Sequence, residues 1–353
     1  MSEAGLRQRI DQFDLLLSGY GIGFDLEAFA RAFLVDANGG REIGHFPKLL
    51  CSSWPLLRAV LGSIAAILIL RNRSHYHHGV QGRKLGRNRD MNDEEHVLSV
   101  EIKDRVCLLT LDRPERRNAI SDQLRMELSE AVLDADANAD VSVIAITGRG
   151  DKAFCAGADM KDMRARDAGE RSAYRSPLHR PTRSFFEILI DSKKPSLAIV
   201  NGPAVAGGFE LALACDLRIA ADTAWFCVPE ARRGMGAHFA SVMLPQMVPP
   251  GIAMEWLYTG RKVGVEEAER WGLVNRVVPN DQLMADGLAL AGDIAKSAPL
   301  SLQRFKLTYR KAHGLPLHAG LRLDVGPDPY ASEDRKEGIR AYAEKRKPVW
   351  KGR

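Results

Sequence analysis

Residues 196–234, SLAIVNGPAVAGGFELALACDLRIAADTAWFCVPEARRG, read as strand, glycine turn, helix, strand and loop. Strand and helix in alternation mark an α/β architecture. Gly207 and Gly208 open the first turn of a helix whose apolar run includes Leu211, Leu213 and Ala214, so their N–H groups have no intrahelical acceptor and point outward. Such a position suits an anionic oxygen. Glu210 follows Gly207 by three residues and projects from the same helical face. Glu230 supplies a second carboxylate in the same stretch, and the pair suits acid–base work beside a polarised carbonyl.

A second segment, DKAFCAGADMKDM at 151–163, follows the strand-like run VSVIAIT at 141–147. Gly157 permits a tight turn or a positive φ, and the small side chain of Ala158 lets a ligand approach its N–H. An AGAD tetrapeptide alone is weak evidence, since most such turns are only turns. Taken with the Gly207 turn, it supplies the second donor of an oxyanion hole.

The rest of the core follows the same alternation. HVLSVEI and VCLLTLD, separated by Lys103-Asp104-Arg105, predict a hairpin. Ser121–Leu133 predicts an amphipathic helix with Ser121 as N-cap and Leu124, Met126, Leu128, Ala131 and Val132 as its apolar positions. Further strands are expected at 141–147, 196–200 and 216–221, and from about Gln282 onward the pattern becomes helical and increasingly charged.

Composition sets outer limits. A chain of 353 residues, 45% hydrophobic and 27% charged, is long enough for a full enzyme core. Its net charge of +5 is uneven: residues 1–90 carry 12 Lys/Arg against 8 Asp/Glu, and the remainder carries 38 against 37. A near-neutral remainder argues against a broad nucleic-acid face. The cysteines Cys51, Cys107, Cys155, Cys215 and Cys227 form no C-x-x-C pair and no metal-ligand spacing with the nine histidines, which points to a reducing, cytoplasmic setting without disulfides or a metal. Cys155 reads as a small buried filler rather than a nucleophile, since no base is paired with it.

Residues 1–90 stand apart. Trp54–Leu70 is apolar but interrupted by Arg58, and the uninterrupted Ala59–Leu70 is shorter than the roughly 20 residues a spanning helix needs. A basic tract, RNRSHYHHGVQGRKLGRNRD, follows it. Three readings stay open: a membrane-surface anchor, a targeting or interaction segment, or an upstream stretch unused by the functional protein, since Met91 begins MNDEEHVLSVEI directly before the core. His75, His77 and His78 lie in the basic tract without acidic or thiol companions, so they read as solvated residues and not as a metal site.

In RPERRNAI at 113–120, AFCAGADMKDM at 153–163, VNGPAVAGGFELALACDLRIAAD at 200–222, the PE at 229–230, WGLVNRVVP at 271–279 and SEDRKEGIRAYAEKRKPVWKG at 332–352, the chain resembles the crotonase, or enoyl-CoA hydratase/isomerase, superfamily. It is most similar to that superfamily's two-glutamate hydratases. The resemblance implies an α/β core of repeated ββα turns wound into a superhelix over 91–281, after an N-terminal extension at 1–90. It also implies a C-terminal helical oligomerisation domain at 282–353, giving a homotrimer or a dimer of trimers.

For the site, the resemblance implies an acyl-CoA thioester as substrate, no separate cofactor, and a thioester oxygen held by the N–H groups of Ala158 and Gly207. Glu210 would then deprotonate a water attacking C3 of a 2-enoyl-CoA while Glu230 exchanges the proton at C2. Arg116 and Lys152 would meet the CoA phosphates or adenine, Ala156 and Met160 its path, and Gly208 the ligand. Lys306 and the Lys345–Lys347 run would reach a neighbouring subunit's nucleotide. One departure stands out: after Glu230 the chain reads ARRGMGAHFASVMLPQ, with Ala237, His238 and Phe239 where the family has smaller or proline-bearing positions. Those side chains would line the acyl pocket, and His238 is open to two roles, acid–base chemistry or packing. A Δ3,Δ2-enoyl-CoA isomerase, or a catalytically silent CoA-binding scaffold, stays open as the alternative function.

Overall fold

The computed structural model describes residues 96–169 and 183–353. The expectations for residues 1–90 lie outside the described residues. The hairpin forms as β1 (Leu98–Lys103) and β2 (Val106–Leu111), its turn made by Asp104 and Arg105 at positive φ. Parallel strands follow: β3 (Val143–Gly148), β4 (Ser196–Val200), β6 (Leu217–Ala221) and β9 (Arg276–Val278), in a six-stranded sheet of order β1-β2-β3-β4-β6-β9. Every residue of β3 and β4 is buried, as a parallel strand covered on both faces requires.

A second layer runs beside this sheet. Ile120 bridges Ala158, Cys155 bridges Ala204, and β5 (Ala204–Val205), β7 (Trp225–Cys227) and β8 (Val263–Gly264) pair in that order. β2, β3 and β4 thus each cross to a second-layer segment before a helix returns the chain: α1 (Asp122–Ala137) after Ile120, α2 (Met160–Asp167) after Ala158, and α4 (Gly207–Ala214) after β5. A short helix, α3 (Phe185–Asp191), leads into β4. This is the repeated ββα winding that the family resemblance implies.

Ser121 caps α1, its side chain accepting the Leu124 N–H. The helix runs four residues past Leu133 because Ala135 continues the buried stripe of Leu124, Leu128 and Val132. Met126 was expected on that stripe, yet it is 61% exposed, since it stands two residues from Leu124 on the other side of the helix.

After β7 come α5 (His238–Met243), α6 (Pro250–Thr259), α7 (Val265–Arg270), α8 (Leu283–Ala295), α9 (Pro299–Ala312), α10 (Leu317–Leu321) and α11 (Glu333–Ala343). The helical C-terminal region begins in contact with the sheet: a Cβ on Gly287 of α8 would stand 2.7 Å from Ile199 Cδ1 of β4, so only glycine lets the helix lie this close. Among the described residues no helix is long and apolar enough to cross a membrane.

Candidate active site

The two glycine-bearing segments meet. Gly157 has φ +87°, and a Cβ there would stand 2.8 Å from Ala206 Cβ and from the Val205 carbonyl oxygen. Ala206 closes the turn before α4 with φ 54° and ψ −127°, a conformation a non-glycine residue adopts only under constraint. The constraint is its N–H bond to the Cys227 carbonyl (2.9 Å) and its own carbonyl, which accepts the Phe209 and Glu210 N–H groups. The turn starts α4 so that a Cβ on Gly207 would lie 3.8 Å from Gly157 Cα and 3.9 Å from Ala158 N.

The amides at this junction are placed by planarity. The Gly157 carbonyl accepts the Ile120 N–H at 2.8 Å, so the Ala158 N–H across the same planar peptide points the opposite way. Among the described residues, neither the Ala158 nor the Gly207 N–H donates to a backbone carbonyl. Ala158 is exposed and Gly207 partly so, which leaves both donors open to a ligand.

Two carboxylates flank the junction. Glu210, partly buried on α4, accepts the Ala240 N–H at 3.0 Å from the first turn of α5. Burial pushes its carboxyl upward, opposed by the Ala240 N–H, the nearby charge of His238 and the Phe239 N–H. Glu230 heads a 3₁₀ turn, Glu230–Arg233, and is 8% exposed. Burial foremost, with the negative charge of Glu210, raises its carboxyl to about 7, against the pull of its own N–H and Arg233. Its Oε2 is buried without a hydrogen-bond partner. A buried carboxyl raised to about 7 beside a second raised carboxyl can exchange a proton near neutral pH, which suits the two to acid–base work.

The loop carrying Ala158 is held by residues the sequence analysis missed. Asn118, fully buried, donates to the carbonyls of Arg149 (3.0 Å) and Ala153 (2.8 Å) and accepts the Arg113 N–H. Asn201 donates to the carbonyls of Gly148 (2.8 Å) and Gly150 (2.7 Å). The far end of α4 is held by Arg218, whose buried guanidinium donates to Ala212, Cys215 and Leu273 carbonyls. Two asparagines in NAI and VNG stretches were the available signal, because a buried amide bridges loops well.

Other expected residues fall in several places. Arg116, Lys152 and Met160 are exposed and Ala156 half-buried, and the Ala156 N–H is taken by the Arg117 carbonyl (3.0 Å). A Cβ on Gly208 would overlap the Cys155 carbonyl oxygen, so glycine is needed there for close packing. The expectation for Lys306 is corrected. That lysine is buried, paired with Asp216 at 2.7 Å and donating to the Lys194 carbonyl at 2.8 Å, so it reaches no nucleotide. Lys345 and Lys347 are exposed.

Phe239 is half-buried with its ring centroid 5.0 Å from that of Phe186 on α3, an aromatic contact absent from the sequence reading. His238 heads α5, exposed and without a hydrogen bond among the described residues. Cys155 is fully buried and its thiol is pushed up to about 12 by burial, as befits a filler. Among the described residues no group of His, Cys, Asp and Glu is placed to hold a metal.

Comparison with known proteins gives a consistent picture. Residues 101–353 match the family model described as enoyl-CoA hydratase/isomerase. A carnitinyl-CoA dehydratase of Citrobacter koseri is 41% identical over 252 residues, 69% of this chain and 94% of that protein. Among solved structures, an enoyl-CoA hydratase from Mycobacterium tuberculosis has 33% identity and a TM-score of 0.65, covering 73% of this chain and 99% of the other. Another enoyl-CoA hydratase, from Bacillus anthracis, has 32% identity and a TM-score of 0.66, covering 73% and 100%.

Proposed function

The chain belongs to the enoyl-CoA hydratase/isomerase family, and from that membership we propose that it adds water reversibly across the C2–C3 bond of a 2-enoyl-CoA. The observation that carries this reading is the pairing of Glu230, buried and raised to about 7, with Glu210 beside two backbone N–H groups that have no backbone acceptor. A 2-enoyl thioester withdraws electrons from C3. Water attacks there while Glu210 takes its proton, negative charge moves to the thioester oxygen, and the Ala158 and Gly207 N–H groups stabilise it. Protonated Glu230 then delivers its proton to C2. Dehydration of the 3-hydroxyacyl-CoA runs the same steps backwards.

CoA belongs along the exposed side of the Ala158 loop in this reading, supported by the cations Arg116 and Lys152 and by exposed Met160 beside half-buried Ala156. Phe239 and Ala237, both half-buried, and exposed His238 would bound the acyl end. No further cofactor is required by this chemistry. A homotrimer, or a dimer of trimers, is part of the same reading, supported by the apolar exposure of Phe305, Tyr309 and Tyr342 on α9 and α11.

The test is a panel of 2-enoyl- and 3-hydroxyacyl-CoA thioesters, carnitinyl-CoA among them, analysed by mass spectrometry in H2¹⁸O and in D2O. Heavy oxygen at C3 and deuterium at C2 are the expected result. A shifted alkene without heavy oxygen would make the protein an isomerase, and thioesters bound but returned unchanged would make it a silent binder.

The raised carboxyl sets the pH dependence. Hydration needs Glu230 protonated, so kcat/KM for hydration falls as pH rises through about 7. Addition of water takes up no net proton, so the equilibrium is independent of pH and kcat/KM for dehydration falls in parallel, both directions using the free enzyme that carries one proton on the Glu210–Glu230 pair. Profiles that stay flat through pH 7 in both directions would place the proton on another group.

A further inference from the structure

Arg113 stands outside the acid–base pair, yet its guanidinium forks across the segment that aims the Ala158 N–H. Its Nη1 donates to the Ala119 carbonyl at 2.6 Å, and its Nη2 pairs with Asp159 Oδ2 at 2.9 Å. The two acceptors lie on the two strands of the Ile120–Ala158 bridge: Ala119 precedes Ile120, and Asp159 follows Ala158. The bridge itself has two bonds, Ile120 N–H to the Gly157 carbonyl (2.8 Å) and Asp159 N–H to the Ile120 carbonyl (3.1 Å). Asp159 is 8% exposed, and its other oxygen accepts the Lys161 N–H at 3.0 Å. Its carboxyl, raised by burial, is brought net below its ordinary range by that N–H and by the charges of Arg113 and Arg116.

The brace answers a specific weakness. Gly157 at φ +87° can rotate its following peptide at small cost, and a rotated peptide would turn the Ala158 N–H away from the Gly207 N–H. Two hydrogen bonds from a two-residue bridge resist that rotation only while the strands stay together. Side-chain cross-linking by a rigid planar fork keeps them together, and lysine, a single point donor, cannot reach both acceptors.

We propose that Arg113 is a positioning residue for the hydration reaction, holding Asp159 and Ala119 together so that the Ala158 N–H stays aimed at the thioester oxygen. This rests on the hydratase reading above. Arg113 is not among the residues assigned to CoA above, so the loss should appear in the step where charge reaches the oxygen.

The experiment compares the wild type with Arg113→Lys and Asp159→Asn, using crotonyl-CoA for kinetics and acetoacetyl-CoA, whose bound enolate absorbs in the near ultraviolet, as a spectroscopic probe. Removing a whole oxyanion donor costs about 10²–10³ in kcat, so misaiming one should cost roughly ten- to hundredfold, with KM changed by no more than about twofold. The enolate band should weaken in both variants, and the double variant should lose no more than the worse single one. Wild-type kcat and an unchanged enolate band in either folded variant would overturn the proposal. So would equal losses in CoA affinity, kcat and melting temperature, which would make the pair merely structural. Should Arg113→Lys fail to fold, Asp159→Asn decides. A wild type that polarises acetoacetyl-CoA but hydrates nothing in the panel would sink the hydratase reading alone, and the enolate band would still judge Arg113.

Discussion

Glu230→Gln should lower hydration turnover by roughly 10²–10⁴, the usual contribution of a positioned acid or base, while leaving CoA binding and folding nearly intact. The amide keeps the volume of the carboxyl but cannot deliver a proton to C2. Glu210→Gln should cost a similar factor for a different reason. Its side chain still accepts the Ala240 N–H, but nothing takes the proton of the attacking water. Exchange at C2 in D2O separates the two: it should survive in Glu210→Gln and vanish in Glu230→Gln. Turnover near wild type in both would remove the acid–base pair from the mechanism.

Adjacent glycines should respond to one methyl group in opposite ways. In Gly208→Ala the new Cβ overlaps the Cys155 carbonyl oxygen and lies 2.7 Å from its carbon and 2.8 Å from its Cβ. These are mostly backbone atoms, and that same carbonyl accepts the Val205 N–H at 3.0 Å, so it cannot swing aside. Overpacking of this kind costs about 1–3 kcal/mol or more, exceeding the gain of about 1 kcal/mol from alanine over glycine in a helix. Gly207→Ala meets Ile120 Cδ1 at 3.5 Å, Gly157 Cα at 3.8 Å and Ala158 N at 3.9 Å, all ordinary contacts, so the fold should keep its melting temperature. Its methyl, however, lies on the side facing Ala158 N, where the proposed function seats the thioester oxygen, and activity should fall at least tenfold, as for a lost oxyanion donor. Calorimetry and hydration rates on both variants check this. A stable, inactive Gly208→Ala beside an unstable, active Gly207→Ala would reverse the assignment.

What the sequence made legible is local chemistry. The turn at Gly157, the start of α4 at Gly207, the Ser121 cap and the buried strands each follow from residues within a few positions, where spacing and backbone preference speak directly. Glu210 and Glu230 were legible because each is fixed by its own turn. What escaped depends on partners far along the chain. Lys306 on a charged amphipathic helix reads as a surface cation, and only Asp216, distant in sequence, makes its burial tolerable. Gly208 reads like its neighbour until Cys155 is brought against it. The Arg113–Asp159 fork and the Phe186–Phe239 contact likewise join segments that no periodicity connects.

The two candidate oxyanion donors come from consecutive turns of the ββα winding, Ala158 after β3 and Gly207 after β4. Their separation is therefore a pitch, fixed by how one turn of the coil stacks on the next, whereas Phe186, His238 and Phe239 sit on two short helices that pack against α4. A chain built this way holds its ruler and its mould in different parts. Side chains on those helices that the proposed reading sets at the acyl end can change size while that pitch stays, so substrate range and the proposed grip on the thioester should be separable by mutation.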